Sequence, residues 1–209
     1  RYSRRAADTL VLWMNMGETP TDKGPKSLTV SYEGSPAWYA QPMVAGGTIR
    51  DTVTFSDSGN KNGLVAANAV LSPSSLATGG TPTLSSDLPF SISFWINFDN
   101  IAVGGDHYLF AKDTTGDYEY LASLTTAKKL DFYLYDSANS ANQNVITSDA
   151  VDSISDFRDG AWNHLVYTYD GRGGSGAKLG MKIYINGVSS EVGRAGGSGS
   201  RDQRVRAGG

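Results

Sequence analysis

Apolar residues in this chain recur at every second position along most of its length, the spacing of half-buried strands. The clearest run is Phe90-Ser-Ile92-Ser-Phe94-Trp-Ile96-Asn-Phe98. It sets five large apolar residues on one face and Ser91, Ser93, Trp95 and Asn97 on the other. A helix would scatter those apolar groups around its circumference. A strand buries them together, worth about 1.5 to 3 kcal/mol for each large side chain removed from water. Similar runs predict strands at 10–14, 28–32, 48–55, 64–71, 108–111, 118–124, 130–135, 162–170 and 181–185. In the run 130–135, Leu130, Phe132 and Leu134 share one face, and Asp131, Tyr133 and Tyr135 the other.

Clusters of Gly, Asn, Asp, Pro and Ser separate these runs and supply turns. Asn186-Gly187 predicts a type I′ hairpin, with only a short returning strand available in 188–192. Strands this short and closely spaced predict an all-β sandwich or barrel. No amphipathic pattern outlasts two helical turns. The best, 147–157, has Val151, Ile154 and Phe157 at helical spacing and predicts a short helical turn or a loop.

Composition agrees: charged residues are 19% of the 209, against 25 Gly, 11 Tyr, 7 Phe and 4 Trp, a profile of strands joined by turns. No apolar run approaches the ~18 to 20 residues of a spanning helix, so membrane insertion is not expected. The absence of cysteine excludes thiol nucleophiles, Cys-ligated zinc and disulfides. Charge is uneven, with 13 acids and 4 bases in 87–170 but 2 acids and 7 bases in 171–209. The acidic middle argues against phosphate binding by the main body, leaving Arg194, Arg201, Arg204 and Arg206 as the candidate nucleic-acid contacts. From 193 onward only Val205 is available for burial, too little to offset the ordering entropy of such a segment. The organisation expected is a basic arm at 1–7, a domain at 8–192 and a Gly/Arg-rich tail at 193–209. The arm, opening Arg1-Tyr-Ser-Arg-Arg5, lacks the apolar segment that would follow in a signal peptide.

Three pieces, in order, resemble the laminin G-like, concanavalin A-like jelly-roll domains. Phe90-Ser-Ile-Ser-Phe-Trp-Ile96 is similar to that family's "FTISFWV" strand. Trp162-Asn-His-Leu-Val-Tyr-Thr-Tyr-Asp-Gly171 is similar to its "W.HVA.TYDG" strand and turn. Lys182-Ile-Tyr-Ile-Asn-Gly-Val188 is similar to its "LYVNGV" hairpin. Leu10-Val-Leu-Trp-Met14 with Gly17-Glu18 looks like its opening strand. The resemblance implies a two-sheet antiparallel jelly-roll sandwich, with calcium bound at one rim in some members. Those domains close with another strand beside the first. Nothing after Val192 matches it, so either the chain is truncated or a partner or the N-terminal part supplies that strand.

Glycoside hydrolysis on such a fold resembles a strand that aims two or more alternate carboxylates into one cleft. Asp117-Tyr118-Glu119 offers two, the next matching position is the apolar Leu121, and Asp113 lies too far along to complete the ladder. The sequence also lacks a Walker-type loop, a dinucleotide fingerprint, HExxH and a GxSxG elbow. No catalytic residue is expected, and glycoside hydrolysis is kept only as a minor reading. Of the two histidines, His107 and His164, the latter falls inside the Trp162 run and is expected to be buried and hydrogen-bonded.

Calcium needs six to eight oxygen ligands, and two loop-like clusters offer them through Asp57 and Asn60, and through Asp113 and Asp117. The same residue types serve equally as turn formers. For sugar, the aromatic candidates are Trp38 and Tyr39 in the loop-like segment 34–42, and Tyr133 and Tyr135 on a polar strand face. Trp38 fits equally as a plug for one end of the sandwich. The expected function is non-catalytic recognition at an extracellular, cell or virion surface, with glycan as first ligand class. The alternative is a structural or assembly protein, such as a viral decoration, capsid-surface or fibre component, that forms homo-oligomers or larger assemblies through sheet edges and tails.

Overall fold

Among the described residues, two-residue periodicity becomes strand. The structure is a computed structural model. It describes residues 14–15, 21–24, 27–33, 37–42, 48–54, 63–66, 88–98, 106–114, 117–136, 141–147, 149–153, 157, 160–190 and 192–193. The chain divides into two compact units, Arg1–Leu71 and Ser72–Gly209.

Among the described residues the first unit holds three antiparallel pairs. β1 (Met14–Asn15) pairs with β2 (Thr21–Asp22), β3 (Val30–Glu33) with β6 (Gly63–Ala66), and β4 (Ala37–Pro42) with β5 (Thr48–Thr54). After β2 the carboxylate of Asp22 accepts from the Gly24 amide at 2.7 Å and from the Leu28 amide at 2.8 Å, folding the chain back toward β3. The segment around Trp38 and Tyr39, expected as a loop, is strand β4, with Trp38 opposite Val53 and Tyr39 opposite Thr52. Aromatic side chains favour a pleated strand, and Pro42 falls at its last position, where a missing donor costs least.

The second unit is a two-sheet antiparallel sandwich, an all-β jelly roll. One sheet has the order β15-β11-β10-β9-β8, built from β8 (His107–Thr114), β9 (Asp117–Leu124), β10 (Leu130–Asp136), β11 (Ala141–Thr147) and β15 (Val192–Gly193). The other has the order β14-β13-β12-β7, from β7 (Phe90–Asn97), β12 (Trp162–Tyr169), β13 (Met181–Ile185) and β14 (Val188–Ser189). Leu165, Tyr167 and Tyr169 of β12 and Met181, Ile183 and Ile185 of β13 face Tyr120, Ala122, Leu130, Phe132 and Val145 in one buried core. Phe94 stacks on Tyr167 at 6.1 Å, and Phe110 meets the same ring edge-on at 5.0 Å. A bulge in β8 between Tyr108 and Phe110 breaks the alternation, so Leu109 and Phe110 both pack against the core.

The connections follow local chemistry. Asn186 and Gly187 have φ of 52° and 87°, as the type I′ turn requires, and β14 is the short returning strand expected after it. In the turn between β9 and β10, the Lys128 amide donates to the Thr125 carbonyl at 2.8 Å, with Lys128 itself at φ 58°. The Tyr169-Asp170-Gly171 segment organises its own loop. The Gly173 amide donates to the Tyr169 hydroxyl at 2.7 Å, and Asp170 forks onto the Arg172 guanidinium. A Cβ at Gly180 would lie 2.0 Å from an Asp170 oxygen, so a larger residue there would push that exposed carboxylate away from Arg172.

The helical candidate 147–157 resolves into a 3-10 turn at Val151–Ser153. β11 just before it was not anticipated. Its Gln143 and Asn144 are buried, and six residues pair with β10 from Asp131↔Ile146 to Asp136↔Ala141. The chain supplies a short strand of its own beyond the β13–β14 hairpin: Val192 and Gly193 pair with Thr147 and Ile146 at the edge of the five-stranded sheet.

Candidate functional site

Strand alternation gives each sheet a second face turned away from the core, where Leu121 and Val166 sit beside polar and aromatic residues and where Glu119, Leu121, Ser123, Asp131 and Asn144 of the five-stranded sheet are buried. On the five-stranded sheet, β10 turns Asp131, Tyr133 and Tyr135 outward while Leu130, Phe132 and Leu134 enter the core. The rings of Tyr133 and Tyr135 stack, centroids 5.7 Å apart and planes 20° from parallel. Tyr133 lies opposite Asn144, whose side chain hydrogen-bonds its hydroxyl, and Tyr135 opposite Asn142. Burial, with the nearby charge of Asp131, raises the Tyr133 hydroxyl above the ordinary phenolic value.

Beside this pair Asp131 is buried, and both the amide and the hydroxyl of Ser123 donate to its Oδ1 at 2.8 Å. Burial raises its carboxyl above the usual carboxylate range, the Ser123 hydrogen bonds oppose the shift, and the charge of Asp106 adds to it. The folded state therefore takes up this proton more readily than the unfolded chain. Its charged form is a penalty at neutral pH that is relieved as pH falls through the raised folded value toward the unfolded one. Asp131→Asn keeps an oxygen acceptor for Ser123 and removes the penalty. The variant is expected to be at least as stable as the parent near neutrality, with its advantage shrinking in acid. Thermal melts of both proteins between about pH 4 and pH 8 check this.

Next along the same face, Lys112 Nζ meets Glu119 Oε1 at 2.5 Å, with the two side chains 8% and 1% exposed. Glu119, the carboxylate a hydrolase reading would use, is therefore held in a buried ion pair.

The outward face of the four-stranded sheet carries a different group. Trp95 is half exposed and stacks on His164, ring centroids 5.0 Å apart and planes 26° from parallel. His164 Nε2 and Ser93 Oγ are hydrogen-bonded at 2.7 Å. The His164 amide donates to Asn186 Oδ1 at 2.9 Å, and the Asn186 amide returns a bond to the His164 carbonyl at 2.8 Å. Asn186 Nδ2 also donates to Asn163 Oδ1 at 2.9 Å, tying the hairpin turn to β12. His164 is hydrogen-bonded as expected but only half-buried, and it faces outward. In β12 the inward set is Asn163, Leu165, Tyr167 and Tyr169, and the opposite parity puts His164 on the outer side with Trp162, Val166 and Thr168. Sequence reasoning missed the Trp95–His164 pair, although alternation carried through both strands would have put both residues outward.

Trp38 and Tyr39 have backbone positions in β4, and their side chains lie outside the described residues. Asp57 and Asn60, the arm 1–7 and the tail beyond Gly193 also lie outside them. Asp113 and Asp117, expected in a loop, belong to paired strands: Asp113 lies opposite Tyr118 and Thr114 opposite Asp117, closing a tight hairpin. Among the described residues no group of three or more His, Cys, Asp or Glu could hold a metal ion. Among them, too, no helix is long and apolar enough to cross a membrane.

Two antiparallel sheets packed over one aromatic core define a jelly-roll sandwich. The chain belongs to the concanavalin A-like lectin/glucanases superfamily, whose family model matches residues 71–206. Among solved structures it is similar to the binding domain of botulinum neurotoxin serotype C1, at 18% identity and a TM-score of 0.58, covering 90% of this chain and 39% of that one. It is also similar to the binding domain of botulinum neurotoxin DC, seen in complex with SialylT (17% identity, TM-score 0.55, 90% of this chain and 40% of that one). The same domain in complex with rat synaptotagmin II matches at 18% identity and a TM-score of 0.54, with the same coverage of 90% and 40%. The chain thus spans about two fifths of the length of these solved chains. A comparison with curated proteins found no match.

Proposed function

We propose that this chain is a non-catalytic recognition module that binds glycan at an extracellular or particle surface. The observation that carries the reading is the stacked Tyr133–Tyr135 pair, both rings partly exposed on the sheet face away from the core, with Asn144 bonded to the first ring's hydroxyl. Sugars bind where aromatic faces meet their C–H groups and amides or hydroxyls fix their oxygens. The commitment of Glu119 to Lys112 and of Asp131 to Ser123 supports binding over hydrolysis, which needs one carboxyl as acid and a second as nucleophile or base. The lectin/glucanases family, and the SialylT and synaptotagmin II bound in the two botulinum complexes, support glycan or protein as the ligand class.

A glycan-array scan of the intact chain, repeated with EDTA, tests this. Saturable binding to at least one glycan is the expected result. Its loss in EDTA would assign calcium to the acidic clusters that contain Asp57, Asn60, Asp113 and Asp117. Silence under both conditions, on a sample shown to be folded, contradicts the reading.

A second reading, assembly through protein contacts, is favoured by the sheet edges. Among the described residues β15 pairs with Ile146 and Thr147 of β11, and β14 with Tyr184 and Ile185 of β13. Edges of this kind invite strand addition from another chain. Sedimentation at high concentration distinguishes it, because an assembly module must oligomerise and a glycan module has no need to.

A further inference from the structure

We propose a second glycan subsite, formed by the indole of Trp95 at the edge of the four-stranded sheet, that takes a single neutral or acidic pyranose ring. The inference rests on the glycan reading above but uses a different sheet. β7 is the last strand of its sheet among the described residues, and its one ladder partner is β12. His164, on β12, covers the indole face that looks into the sheet. The uncovered face of Trp95, which is 50% exposed, is left for the side where no described strand follows.

The platform is fixed in advance. The imidazole behind the indole is held by Ser93 through its ring and by Asn186 through its backbone. It cannot swing aside without losing the Ser93 bond, so little ordering cost is left for binding.

The occupant follows from the surroundings. A stable protein interface buries about 800 Å² per partner around an apolar centre. Trp95 is the one large apolar side chain that this outward face exposes among the described residues. The outward positions next to it in the ladder are Ser93, Asn97, Trp162, His164 and Val166, and the described outward residues of the sheet include no carboxylate. One exposed aromatic face beside a hydroxyl and an amide suits a sugar ring with its C–H face on the indole. One row along, Asn97 lies opposite Trp162, and neither Asn97 Oδ1 nor Trp162 Nε1 has a hydrogen-bond partner. Both atoms are buried, so the indole face and not this row is the part of the site open to a sugar.

The test uses the intact chain, with lactose, 3′-sialyllactose, N,N′-diacetylchitobiose and the strongest array ligand as probes. The four tryptophan indole N–H signals are followed by NMR, with Trp95 assigned from Trp95→Phe. At least one probe is expected to move the Trp95 signal saturably. Trp95→Ala should weaken that probe about tenfold, Trp95→Phe only a few-fold, and Ser93→Ala about threefold by freeing the imidazole, all with unchanged far-UV dichroism. Probe binding that leaves the Trp95 signal unmoved and survives Trp95→Ala overturns this subsite and leaves the glycan reading standing. If no probe binds and the array is silent, both are overturned. A Trp95→Ala variant that changes sedimentation and leaves sugar binding intact overturns the subsite in favour of a protein contact at the sheet edge.

Discussion

Glu119→Gln is expected to destabilise the second unit by about 3 to 5 kcal/mol, although the change adds no bulk. The cost comes from what is left behind. Lys112 is 8% exposed and Glu119 1% exposed, so a neutral partner strands the ammonium away from both water and countercharge. Removing both charges has a different consequence. Desolvation had already consumed most of the Coulombic gain, so Lys112→Met with Glu119→Leu is expected to be neutral or stabilising by about 1 to 4 kcal/mol. Urea unfolding midpoints of the single and double variants check the pair. A single variant within about 1 kcal/mol of the parent would show that water reaches Lys112 in the folded state. The same comparison bears on function, because a carboxylate held this way supports the fold and is not free to shuttle protons.

Phe132→Ala is expected to cost a similar amount, about 3 to 5 kcal/mol, by a different mechanism. Phe132 is 0% exposed on β10. Its ring meets Phe90 at 6.0 Å and 87°, Phe110 at 6.1 Å and 66°, and Tyr167 at 5.6 Å and 73°. Those neighbours come from both sheets, so truncation opens a cavity at the seam that neither sheet can close alone. Phe132→Leu, which keeps most of the volume, should lose much less. Chemical denaturation reads both variants, and an alanine variant within about 1 kcal/mol of the parent would contradict a core packed at this seam.

These two sites also show what the linear sequence could reveal. The strands around Phe90, Leu130 and Trp162 were legible because large apolar residues alternate there without interruption, and burial of one face is their largest energetic term. The Asn186-Gly187 turn was legible because few residues tolerate positive φ. β11 was not, since Ala-Asn-Gln-Asn-Val-Ile-Thr offers few apolar side chains, and its strand state comes from its ladder with β10. Segment 34–42 looked like a loop because Gly34, Pro36 and Pro42 punctuate it, yet the residues between pair with β5.

The candidate site divides in the same way. Tyr133 and Tyr135 share a face by simple parity, and their stacking follows from adjacency on one strand. Lys112 meets Glu119 across a hairpin whose register shifts at Lys112/Asp113, a local irregularity that parity does not anticipate. Ser93 and His164 meet across 71 positions of sequence, through a register between β7 and β12 that only the folded chain defines.

The most direct test of the central claim is native mass spectrometry of the intact chain incubated for hours with its strongest array glycan. The account predicts a saturable one-to-one or one-to-two complex from which the glycan is recovered at unchanged mass. Cleaved glycan would contradict the non-catalytic reading, and no complex at saturating glycan would contradict recognition itself.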